Sequence, residues 1–177
     1  MAALKENAIR SIGELADGWM PIFWPYDQLD RGRRWIEEGA RKAGRDPADI
    51  VTAAFTTLLP LPGRGAAKKA REIIAFYIGG MGEYYRELLT EMGYRSECDR
   101  IAELYRDKTT RAESEAVVTD AMIHALTVSG SPLEAMRELR RRQQEAGCDC
   151  PIVNLPPGLK WPAIAAFIIA LAPRRYP

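Results

Sequence analysis

Apolar positions recur at helical spacing over residues 6–16 (ENAIRSIGELA), through Ala8, Ile9, Ile12, Leu15 and Ala16. An Asp-Gly pair then opens a short apolar run, DGWMPIFW (17–24), which reads as a turn followed by a buried strand. Asp27 is placed to cap an amphipathic helix running to about residue 44, with Leu29, Trp35, Ile36 and Ala40 on its apolar face. Gly44 stops that helix, and Arg45-Asp46-Pro47 makes a turn. Residues 50–59 (IVTAAFTTLL) are β-branched and apolar on both faces, as in a strand covered on both sides. Pro60, Pro62 and Gly63 end it. Helical spacing then fills about 65–79, 81–92, 96–107 and 111–127. The stripe Ile74, Tyr77, Ile78, Met81, Tyr84, Tyr85 and Leu88 reads as helix packing. Ser129-Gly130-Ser131-Pro132 leads into a helix over 132–146, with Pro132 in its first turn and Gly147 just past its end. DCPIVNL (149–155) predicts another buried strand, Pro156-Pro157-Gly158 breaks it, and a helix over 161–171 closes the pattern.

Strands separated by amphipathic helices imply an α/β fold with parallel pairing and right-handed crossovers. Three strands are visible in this pattern. A parallel sheet that small leaves two open edges, and its apolar strands need cover on both faces. Met1-Ala2-Ala3-Leu4 reads as the last residues of a further strand. The expectation is one partial domain over residues 1–177, a segment of something larger.

Composition narrows the function classes. Lys and Arg number 25 against 24 Asp and Glu, so no strong field points to nucleic acid or to a membrane surface. Arg137, Arg140, Arg141 and Arg142 stand among glutamates on one helix and read as a solvated face. The longest apolar run, residues 163–172, is half of the roughly 20 residues that a bilayer span needs. The start is too short and polar for a signal peptide, and the location expected is cytoplasmic. Cys98, Cys148 and Cys150 read as reduced thiols. Cys148 and Cys150 would face opposite sides of a strand, which is poor geometry for a metal, and no metal site is expected. His124, the single histidine, lies in an apolar stretch (AMIHALTV) and reads as a buried or half-buried structural imidazole.

ELADGWMPIF, EEGARKAGRDPADI, IVTAAFTTLLP, AREIIAFYIGGMGEYYRELLTEMGY and the VVTDAMIHALTVSGSPLEAMRELRRRQQEAGCDCPIVNLPPG tail follow one another in this order. Together they resemble the luciferase-like monooxygenases, the flavin- and coenzyme F420-dependent group that includes methylenetetrahydromethanopterin reductase. The likeness covers nearly the whole chain. It implies the C-terminal part of a (β/α)8 barrel of parallel strands with a helical insertion, the first half being absent. A complete barrel of this kind takes about 250 residues. It implies F420 or FMN at the C-terminal ends of the strands, and a small organic substrate that is reduced, oxidised or monooxygenated. The cofactor carries the hydride, so no protein nucleophile is needed.

The resemblance also implies roles for particular residues. Ala3, Leu4 and Lys5 match the loop whose backbone N–H groups, with the following helix N-terminus, hold the cofactor phosphate. That loop is ordinarily rich in glycine; Leu4, Lys5 and Glu6 depart from the pattern, and Glu6 opposes an anion. Phe23 and Trp24 match a second cofactor-side loop, where they would wall the cofactor or pack the barrel rim. Tyr26, Thr57 and Asn154 are the substrate-side candidates, near strand ends on the expected active face. The partner expected besides the substrate is a second copy of the chain or the missing half. Two other readings stay open: a non-catalytic half-barrel that self-associates through its open strands, and a helical partner-binding protein using residues 65–127.

Overall fold

The computed structural model describes residues 1–59, 63–155, 158 and 160–172. Pro60, Pro62, Pro156 and Pro157, expected to end strands, lie outside the described residues. The strands pair in parallel throughout, and helices cover one face of them. Helix α1 (Glu6–Leu15) leads to β1 (Gly18–Trp19) and α2 (Leu29–Lys42) to β2 (Val51–Thr52), which runs on into β3 (Phe55–Leu59). The helices α3 (Gly63–Gly80), α4 (Glu83–Glu91), α5 (Arg95–Arg106), α6 (Arg111–Val117) and α7 (Asp120–Leu126) form an insertion. Strand β4 (Thr127–Ser129), α8 (Pro132–Ala146), β5 (Ile152–Asn154) and α9 (Trp161–Leu171) complete the order.

Residues 51–59 form the spine of the arc. On one side β2 pairs with β1, Gly18 opposite Val51; on the other β3 pairs with β5, Phe55 opposite Ile152 and Thr57 opposite Asn154. Met1 lies alongside β1, donating to the Gly18 carbonyl (2.7 Å) and accepting from the Met20 amide (2.8 Å). That alternation is parallel pairing. Four neighbouring parallel segments therefore stand side by side: residues 1–3, β1, β2 with β3, and β5. With their helices they form an arc of a (β/α)8 barrel.

Burial alternates with period two from Val51 to Thr56, and Thr57, Leu58 and Leu59 beyond it are all buried. Thr52, Ala54, Thr56 and Leu58 are buried beneath the helices; Val51 is exposed, and Ala53 and Phe55 half-buried, on the concave face. Beneath α1, α2 and α8 the outer core holds Trp19, Trp24, Leu29, Ile36, Leu139 and Cys148. A second core, centred on Ile74, Ile78, Leu89, Ile101 and Met122, ties the inserted helices to Phe23 and Leu59.

Several sequence expectations are corrected by tertiary partners. The strand expected over 17–24 forms a regular ladder only at Gly18–Trp19; the Phe55 amide still donates to the Pro21 carbonyl (2.9 Å), and beyond it the chain turns away, with Phe23 at φ 59. Asp27 does not cap α2: it sits inside a 3-10 turn, Tyr26–Gln28, and Gln28 precedes the helix. The helix expected over 111–127 breaks at Val118. There the Thr119 hydroxyl accepts from the Met122 amide, while Arg71 binds the Val118 carbonyl (3.3 Å) and Asp120 (2.6 Å). Its last residue begins β4, a strand the sequence reading lacked, which pairs with β3 at Thr57–Leu59. Strand β4 thus takes the side of the spine that β1 leaves. Cys148 and Cys150 precede β5 rather than lying in it.

Two more corrections concern charge. His124 is exposed on α7, its Nδ1 3.1 Å from Arg142. Arg142, read as part of a solvated face, is 8% exposed; it donates to the His124 carbonyl (2.7 Å), the Thr127 carbonyl (3.3 Å) and Glu138 (2.6 Å). It ties α8 to the end of α7 and the start of β4. No helix among the described residues is long and apolar enough to cross a membrane.

Candidate functional site

At the C-terminal ends of the first two segments, Ala3, Leu4 and Lys5 line a cavity of about 370 Å³ with Met20, Ile22 and Tyr85. Ala2, Ala8 and Tyr84 complete its wall. The loop is held from below: the Trp19 indole N–H donates to the Ala3 carbonyl at 3.1 Å, and Trp19 itself is fully buried. Lys5 has extended backbone and precedes α1, and no side chain caps that helix end. The first amides of α1 therefore face outward with the positive end of the helix dipole behind them. This is the chemistry that receives an anion.

The charges around this end are mixed. Lys5 Nζ lies 2.8 Å from Glu87 and 3.2 Å from Glu91, both on α4. The hydrogen bond to Glu87 leads in raising the Lys5 pKa, and the Glu87 carboxyl is lowered by the same bond. All three side chains are close to half exposed. An ion pair of that kind is worth at most about 1 kcal/mol, so Lys5 can leave its glutamates for a stronger anion at small cost. The uncapped helix end and an exchangeable lysine fit a phosphate group.

Tyr84 and Tyr85 come from α4 and were read in the sequence as ordinary helix packing. Their placement follows from Gly82, whose φ of 84 turns α4 back across the strand ends. Tyr85 meets Tyr77 edge-on at 4.9 Å, and burial raises the pKa of both phenols.

The other candidates separate. Phe23 is 4% exposed and stacks on Tyr77 at 4.3 Å, inside the core of the inserted helices. Trp24 is 3% exposed, donates its indole N–H to the Gln28 carbonyl (3.0 Å) and meets Trp19 edge-on at 5.0 Å. Thr57 and Asn154 are register partners on the concave face of β3 and β5. Tyr26 stands on the opposite face, its phenol oxygen accepting from Thr56 at 2.7 Å, and burial pushes it up to about 12. It lines a separate cavity of about 390 Å³ with Tyr94, His124 and Arg142, outside the arc of strands. The structure brings Ala3, Leu4 and Lys5 together, and separately Thr57 and Asn154.

Comparison with known proteins gives a consistent picture. Residues 1–150 match the luciferase-like monooxygenase family. A Mycobacterium tuberculosis protein named as a coenzyme F420-dependent oxidoreductase is 24% identical over 148 residues, 80% of this chain and 42% of its own length. Among solved structures, the coenzyme F420-dependent tetrahydromethanopterin reductase of Methanopyrus kandleri superposes with a TM-score of 0.76 at 22% identity, over 100% of this chain and 50% of that one. EDTA monooxygenase from Chelativorans sp. BNC1 superposes with a TM-score of 0.62 at 15% identity, over 98% of this chain and 42% of that one. The chain spans about half the length of the relatives it matches.

Proposed function

This chain belongs to the luciferase-like monooxygenase family, and from that premise we propose that it forms one side of the site where F420 or FMN exchanges hydride with a small organic substrate. The observation that carries the reading is the uncapped N-terminus of α1, opening beside Lys5 onto a cavity walled by Ala3, Leu4, Tyr84 and Tyr85. The cofactor, when bound, supplies the hydride chemistry. The α1 amides and Lys5 hold its phosphate end. Leu4, Ile22 and Tyr85 keep that end of the site apolar and poor in water. Thr57 and Asn154, on the concave face, offer a hydroxyl and an amide for orienting the substrate. The cofactor ring needs walls on both sides, so a full site draws on strands beyond the four segments of this arc. The chain serves either a reductase or a monooxygenase.

Titration of FMN and of F420 with the protein tests this, following cofactor fluorescence with and without a polypeptide that supplies the rest of the barrel. Saturable quenching is expected, and Lys5→Glu should weaken it about tenfold by setting a carboxylate against the phosphate, roughly the 1.4 kcal/mol of one charge-assisted contact. Unchanged fluorescence in every mixture would sink the proposal.

A further inference from the structure

We propose that Glu87 acts as a charge filter at the phosphate site, admitting a singly charged phosphodiester in preference to a doubly charged phosphate monoester. The inference rests on the reading of that site given above and adds a rule of selection to it. Its first support is the way the nearby cations are shared. Lys5 Nζ stands between two carboxylates, Glu87 at 2.8 Å and Glu91 at 3.2 Å. Arg10 of α1 is likewise divided between Glu6 of its own helix and Glu38 of α2, the latter at 2.8 Å. Arg31 of α2 adds a third cation, 3.9 Å from Glu91. Arg86, beside Glu87 on α4, is matched by Glu83 at 2.9 Å and leaves the balance unchanged. In this cluster Lys5, Arg10 and Arg31 therefore face Glu6, Glu38, Glu87 and Glu91. The positive end of a helix contributes only about half a charge, which does not close that gap.

The second support is what happens when Lys5 turns to a ligand. Glu91 keeps Arg31, whereas Glu87 is left without an ion-pair partner among the described residues. A ligand with one charge exchanges one anion for another at Lys5. A second charge on the same phosphate finds no unshared cation and meets the Glu87 carboxylate instead. One further unit charge about 4 Å from a carboxylate changes a binding constant roughly fivefold in water. A phosphate monoester carries close to two charges above neutral pH, its second pKa lying near about 6, and a diester carries one. FMN, whose phosphate is a monoester, is thereby the disfavoured cofactor of the two.

The test compares FMN with its phosphate methyl ester, which keeps the ring and the side chain and removes one charge. Both are titrated by flavin fluorescence at about pH 8, where the monoester is fully ionised, into the 177-residue chain, alone and with the polypeptide that supplies the rest of the barrel. The methyl ester should bind about fivefold tighter, and the margin should narrow at high salt. Glu87→Gln should bring the two dissociation constants together by tightening FMN. Glu87→Asp, which keeps the charge, should preserve the difference. Glu87 is close to half exposed, so both variants should keep the far-ultraviolet spectrum of the parent. FMN binding as tightly as its ester, a margin indifferent to salt, or one that survives Glu87→Gln overturns the filter and leaves the cofactor reading standing. If neither compound binds in any mixture, the cofactor reading falls, and the filter falls with it.

Discussion

Gly13 and Gly39 sit where α1 and α2 touch backbone to backbone. A Cβ on Gly39 would overlap the Arg10 carbonyl, and one on Gly13 would overlap the Ile36 carbonyl. Neither neighbour is a flexible side chain, so the helices themselves would have to part. Gly39→Ala should lower stability by about 2 kcal/mol or more despite the better helix propensity of alanine, read as a fall in the urea midpoint with an unchanged slope. At Gly32 the obstacle is instead the Trp19 ring. Glu138 shows a residue-scale effect of charge. Hydrogen bonds from Arg141, then from Arg142, hold its carboxyl at about 2, against an ordinary 4.5; partial burial opposes them. A depressed folded pKa stabilises the fold fully above 4.5, and that contribution is lost as pH falls through about 2. Glu138→Gln should flatten the stability-against-pH curve across that window. An unchanged acid slope in chemical unfolding would remove Glu138 from the account.

Three element ends in this chain lie where a specific group satisfies their last polar atoms. Arg45 donates to the Gly13 carbonyl (3.0 Å) and the Ala16 carbonyl (2.8 Å), closing the C-terminal end of α1 with a cation. Helix α8 starts with a capping box, Ser131 and Glu134 bonding reciprocally, and ends at Gly147 with φ 61. The break between α6 and α7 rests on Thr119, whose hydroxyl caps α7. Thr119→Ala should cost about 1 kcal/mol, visible as a lower thermal midpoint. Its effect should reach beyond α7, because that helix delivers the chain to β4. Helix spacing along 111–127 was legible, but not the break, since Val117, Val118 and Thr119 fit the apolar pattern of one longer helix. The capping residue was visible in the sequence; the Arg71 that binds the Val118 carbonyl comes from 47 residues away.

Across the whole molecule, one spine strand changes partner along its length: β1 beside its first residues, β4 beside its last residues, and β5 on the other side at Phe55–Thr57. This lets the inserted helices fold over the strand ends, placing α4 above the loop of Ala3, Leu4 and Lys5. The sequence by itself determined the parallel α/β plan, because alternating apolar runs and amphipathic helices bury their faces in few ways. It also determined the helices flanking each strand and the family likeness, and it marked Lys5 as standing at a helix start. Only the tertiary structure decided that Lys5 pairs with Glu87 and Glu91, and that Phe23 and Trp24 turn inward. Only there did Tyr84 and Tyr85 reach the cavity, and β4 become a strand. Local spacing records which face of a segment is apolar. It carries no record of which distant segment will cover that face, and a three-residue strand exists only through the neighbour that binds its backbone.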